Sequence, residues 1–189
     1  IWGVNTLFLL DAGLELVEVF VANAVFTGSM ALFEIPTGVL ADTRGRRASF
    51  LLSLAVILVG TLGYVGVAAI NGGLWYFIIM SVILGLGYTF YSGAMEAWLV
   101  DALAASGFEG KLDRVFARSS MVSGAAMLIG SIGGGFLGEV SLSLPFLVRA
   151  GLLGLVFVFA FYAMHDIGFE PVKTNWRQLP QELRKVALA

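Results

Sequence analysis

The stretch EIPTGVLADTRGRRASF, residues 34–50, interrupts an otherwise apolar chain with its densest charge. Within six residues stand Asp42, Arg44, Arg46 and Arg47, framed by Gly38 and Gly45. Apolar runs of membrane-spanning length flank the stretch, so it reads as a tight turn between two spans. Gly38 lies one helical turn before Asp42, which puts both on one helix face. Gly45 permits the reversal, and Arg46 and Arg47 open the next helix. Arginines in such a turn are ordinary orientation anchors. Asp42 adds nothing to that role, and neither do two glycines in register.

Working outward, the composition agrees with a membrane setting. Of 189 residues, 59% are hydrophobic and 13% charged, against about 25% charged in a soluble domain. Mean hydropathy is +0.92. Too few polar groups exist to cover a soluble surface, so the chain reads as an integral membrane protein in the lipid bilayer. There is no basic surplus for nucleic acid. Cysteine is absent and His165 is the single histidine, which excludes thiolate and His-cluster metal sites. No cofactor is expected.

Six apolar segments follow from the hydropathy pattern. Residues 1–10 are too short to span and read as the outgoing end of a truncated helix 1, followed by an acidic connection at 11–19. Further spans are expected at 19–41, 48–70, 74–103, 115–138 and 145–164, with an Asn-Gly-Gly turn at 71–73 and a polar loop at 104–114. In the fifth span Ala126, Gly130, Gly134 and Gly138 recur every four residues, a stripe that lets helix backbones approach closely. Orientation follows from the basic residues. With the 42–47 turn cytoplasmic, ten of the eleven Lys and Arg fall on the cytoplasmic side, Arg149 being the exception. The C-terminal tail is then cytoplasmic too.

The string GVLADTRGRR (38–47) resembles the signature loop between helices 2 and 3 of the major facilitator superfamily, Gly-x-Leu-Ala-Asp-Arg-x-Gly-Arg-Arg. Thr43 stands where the family usually has a basic residue. YSGAMEAWLVDAL (91–103) is similar to helix 4 of a bacterial branch. GSIGGG (130–135) partly resembles the antiporter signature Gly-Pro-x-x-Gly-Gly, with Ser131 in the proline position. The resemblance implies an all-α polytopic bundle, the N-terminal six-helix half of a transporter, built as 3+3 inverted repeats. Residues 1–165 are then the bundle and 166–189 the start of a cytoplasmic linker to a second six-helix half. The bacterial plasma membrane is the implied location. In the family this loop latches the two halves together on the cytoplasmic side. Carried over, the gate residues are Gly38, Asp42, Gly45, Arg46 and Arg47, with Asp101 as the acid at the end of helix 4. The implied partners are a small-molecule substrate, protons as a candidate coupling ion, and the second half.

Charges inside spans are expensive unless they face protein or water. Glu34 lies about two turns before Asp42. Glu96 and Arg118 lie at matching depth on neighbouring spans, which predicts an ion pair between them, structural or part of a coupling network. Arg149 is expected to snorkel or to pair with Glu139. Asn5 and Asn23 face a cavity or bond across helices. No nucleophile–base set and no phosphate-binding loop such as GxxxxGK[ST] is present, so neither an enzyme nor ATP use is expected. The reading is a secondary active transporter working by alternating access, with a structural or receptor-like membrane protein as the alternative.

Overall fold

The computed structural model describes residues 2–169, and for Trp2 the backbone alone. Its elements are six helices: α1 (Trp2–Asp11), α2 (Leu16–Arg44), α3 (Arg46–Ala69), α4 (Gly73–Ala105), α5 (Leu112–Val140) and α6 (Leu144–Ala163). The helices from α2 to α6 are long and apolar enough to cross a membrane, and α1 is shorter. Large apolar side chains such as Val17, Phe20, Leu32, Trp75 and Phe159 lie on the outside. A surface of that kind is matched to hydrocarbon rather than water.

Helix ends differ from the expected spans for identifiable reasons. The connection expected at 11–19 shrinks because α2 starts at Leu16. The Glu18 side chain accepts from the Glu15 backbone N–H at 2.9 Å, so these acids cap the helix instead of lying in a loop. The 104–114 loop shrinks likewise, because α4 runs to Ala105 and α5 begins at Leu112. Asp113 stands in the first turn of α5, where the helix dipole favours an acid. The tail from 170 onward lies outside the described residues.

α4 is the centre of the bundle. α2 and α3 pack against it, α6 packs on α3, and α1 joins α2 to α5. The close approach of α2 to α4 depends on Gly85. A Cβ there would lie 2.8 Å from Ser29 Cβ and 2.9 Å from the Phe26 carbonyl oxygen. Gly85→Val is therefore expected to destabilise the bundle by about 1–3 kcal/mol through overpacking. Thermal unfolding in detergent measures it, with Gly28→Ala as control, since a Cβ at Gly28 meets nothing within 4 Å.

Two apolar clusters fill the interior. The first centres on Phe8, Tyr64, Phe77 and Phe146, with the Phe8 and Phe146 ring centroids 4.3 Å apart. The second, around Phe50, Leu54, Ala94 and Met164, lies below the α2–α3 turn. α5 stays largely uncovered. Of its small-residue stripe, Gly134 and Gly138 meet Val4 of α1, while Ala126 is exposed and a Cβ at Gly130 would meet nothing.

Candidate functional site

The site is built on one glycine. Gly45 is the single residue between α2 and α3, with φ 104° and ψ 147°, a conformation essentially reserved for glycine. The reversal sets the first residue of α3, Arg46, beside the last turn of α2 and the end of α4. Arg46 Nε donates to Asp101 Oδ2 at 3.2 Å, and Nη1 donates to the Asp42 carboxylate. One planar guanidinium thus bridges two carboxylates on two other helices, a geometry its forked donors suit. The Arg46 side chain is 14% exposed, Asp101 28% and Asp42 44%. The pairs therefore lie between an exposed ion pair and a buried one.

The N-terminus of α3 leaves backbone N–H groups without partners inside the helix. Asp166, from the segment after α6, supplies an acceptor: the Arg47 N–H donates to Asp166 Oδ1 at 2.7 Å. Its negative charge also suits the positive end of the helix dipole. A Cβ on Gly45 would lie 2.6 Å from Asp166 Oδ2, so the same glycine that makes the turn also makes room for the cap. Arg47 turns the other way. Its Nη2 donates to the Phe161 carbonyl at 2.6 Å, and its guanidinium lies 5.1 Å from that ring centroid.

Residues 164–169 therefore form a strap across the clasp. Met164 is buried in the second apolar cluster. Trp98 Nε1 donates to the His165 carbonyl at 2.8 Å. At Gly168, φ 70°, a Cβ would lie 2.7 Å from the Asp101 carbonyl oxygen. Phe169 lies beneath the Arg46 guanidinium, 5.6 Å from ring centroid to Cζ. Asp166, Trp98 and Phe169 were not among the residues expected from sequence. Their contacts join positions 67 to 123 residues apart, where no periodicity signals them.

The remaining sequence candidates fall elsewhere. Gly38 is half-buried, and a Cβ there would meet nothing within 4 Å, so this bundle itself does not require glycine at 38. Thr43 turns its hydroxyl to the Val39 carbonyl at 2.9 Å. Glu34 is exposed on α2. The ion pair expected between Glu96 and Arg118 is not formed: among the described residues the ion pairs are Arg46 with Asp42 and with Asp101. Equal depth is insufficient, because α4 packs on α2 and α3 while α5 packs on α1 and α6. Arg118 instead borders a depression with Lys111, Arg114 and Phe108.

Arg149 neither snorkels nor pairs with Glu139. It points inward, where Nη2 donates to Tyr88 Oη at 2.7 Å and the guanidinium lies 5.6 Å from the Tyr88 centroid. Asn5 Nδ2 donates to Asn23 Oδ1 at 3.1 Å, and both side chains also line a cavity of about 160 Å³. The two alternatives for these asparagines thus hold together.

Residues 2–189 match the family model of the Major Facilitator Superfamily. The chain belongs to this superfamily. Its apolar helices make it a multi-pass integral membrane protein. Among curated superfamily proteins, the uncharacterised MFS-type transporter YxaM of Bacillus subtilis is 23% identical over 154 residues, covering 80% of this chain and 36% of that protein. The class E tetracycline resistance protein of Escherichia coli is 28% identical over 143 residues, 76% of this chain and 33% of that protein. The class G tetracycline resistance protein of Vibrio anguillarum is 33% identical over 123 residues, 65% of this chain and 29% of that protein. The matched region therefore spans about a third of each relative. No solved structure matches the chain.

Proposed function

We propose that the chain is the N-terminal half of a secondary active transporter that moves a small molecule by alternating access, with the clasp as its cytoplasmic gate latch. The observation that carries this reading is Arg46 held between Asp42 and Asp101, which ties the facing ends of α2, α3 and α4. A partly desolvated charge bridge can be made in one state and broken in another, and its free energy then biases the two-state equilibrium. Anchoring in the membrane needs only the positive charges. It does not call for two carboxylates on one guanidinium.

In this reading the face of α2 that carries Gly38 and Asp42 turns toward the second six-helix half. Room for a Cβ at Gly38 within this bundle supports it, because the need for glycine then lies with a neighbour. Glu34, on the same helix and exposed, is the candidate for proton coupling at a cavity between halves, and Glu96 on α4 is exposed as well. The basic residues of the α2–α3 turn and the α4–α5 loop face the cytoplasm.

The test is flux by the full-length protein in proteoliposomes against a small-molecule panel, with and without a pH gradient. Tetracycline belongs in the panel because two relatives are tetracycline resistance proteins. Saturable flux of one compound that rises with the gradient is expected. Failure to move any compound in either direction, with inserted and folded protein, would favour a structural or receptor-like role.

A further inference from the structure

From the cavity beside Arg149 we infer that this bundle holds a binding site for a small organic carboxylate, one aromatic ring or a short chain in size. The cavity is distinct from the clasp. Its lining comes from α1, α2, α3, α4 and α6, so the site lies within the bundle. At about 160 Å³ it has the volume of a single ring; an engineered apolar cavity of about 150 Å³ in another protein takes benzene.

The chemistry of the walls selects the ligand. Phe26, Tyr64 and Phe146 give aromatic surface. Arg149 supplies positive charge at membrane depth, where an uncompensated ion is costly. Among the described residues no carboxylate forms an ion pair with it, and its protein acceptor is Tyr88 Oη. A guanidinium carries five N–H donors in a fork suited to a carboxylate. On α3, Thr61 is 1% exposed and lines the same cavity, and its Oγ1 is buried with no protein hydrogen-bond partner. A buried hydroxyl without a partner is destabilising by itself. A ligand with oxygen acceptors and an apolar body answers both groups at once. A neutral ring satisfies the walls and leaves Arg149 uncompensated. A bare inorganic anion does the reverse.

Equilibrium binding of radiolabelled benzoate to the full chain in lipid nanodiscs tests the site, with no gradient applied, so the result is independent of any transport. Saturable binding is expected, at least about tenfold tighter than benzyl alcohol, an uncharged ligand of the same size. Arg149→Met is expected to remove the preference for the acid, and Arg149→Lys to keep part of it. Thr61→Val replaces the unpaired hydroxyl by a methyl of the same shape. It should raise the melting temperature and weaken benzoate binding several-fold. That pairing keeps the test decisive even where Arg149→Met misfolds. Benzyl alcohol binding as tightly as benzoate, chloride displacing benzoate at equal concentration, or unchanged benzoate affinity in Thr61→Val would each overturn the assignment.

Discussion

Arg46→Gln is expected to cut the initial rate of flux at least about tenfold in proteoliposomes, with the protein still folded and inserted. The magnitude follows from burial. Exposed ion pairs contribute about 0–1 kcal/mol, whereas removing one partner of a buried pair costs about 3–5 kcal/mol. Arg46 is 14% exposed and its partners 28% and 44%, so an intermediate figure of about 1–3 kcal/mol applies. That amount shifts a two-state equilibrium about 5- to 150-fold. Asp101→Asn leaves Arg46 with Asp42 and should be milder. Asp42→Asn leaves it with the better-buried Asp101. Flux alone does not separate a latch from a brace, so a state reporter is needed. The chain has no cysteine. A cysteine at Ala31, which is exposed and on the same α2 face as Gly38 and Asp42, reports access from the clasp side. A broken latch should speed its labelling by an impermeant maleimide and slow flux together. Slower flux with unchanged labelling and a lower melting temperature would mark the clasp as a brace only.

Much of this arrangement is legible from residue type, and the illegible part has a common cause. Each span is a run of apolar residues, and hydrocarbon thickness sets its length. Asp42 and Arg46 are four residues apart across one glycine, so local geometry alone brings them together. Asp101 joins them from the end of α4, an expectation that came from the family resemblance alone. Span ends were less legible because Glu15, Glu18 and Asp113 look like loop residues and serve as helix-terminal ones. Depth along a helix can be counted in residues, yet azimuth is decided by which helices touch. Glu96 and Arg118 match in the first and fail in the second. Arg149 shows the same limit. Its partner is a tyrosine 61 residues away, and no charge pattern announces a phenol. Asp166 is harder still, since its role depends on a helix end 119 residues earlier.

Gly45→Ala is expected to destabilise the protein by about 2–4 kcal/mol. Two costs combine. A residue with a Cβ held at φ 104° and ψ 147° carries about 1–3 kcal/mol of backbone strain. The added methyl also collides with Asp166 Oδ2, 2.6 Å from its position, and pushes the cap away from the Arg47 N–H. Losing an N-terminal cap costs about 0.5–2 kcal/mol. Asp166→Ala removes the cap without touching the turn, so it isolates that second cost. Asp166→Asn keeps an acceptor and loses only the charge–dipole part, roughly 0.3–1 kcal/mol. The decisive measurement is the double variant in thermal or denaturant unfolding. If Asp166 rests against Gly45, removing its carboxylate relieves the collision, and the two losses together fall short of their sum. Strict additivity would mean that the strap and the turn are independent. The strain at 45 would then be a property of the turn alone, and a strap leaving the clasp would not relax α3. A shortfall of about 0.5 kcal/mol or more ties them together. Any movement of the segment after α6 would then be felt at Arg46, because its backbone begins the helix that Asp166 caps.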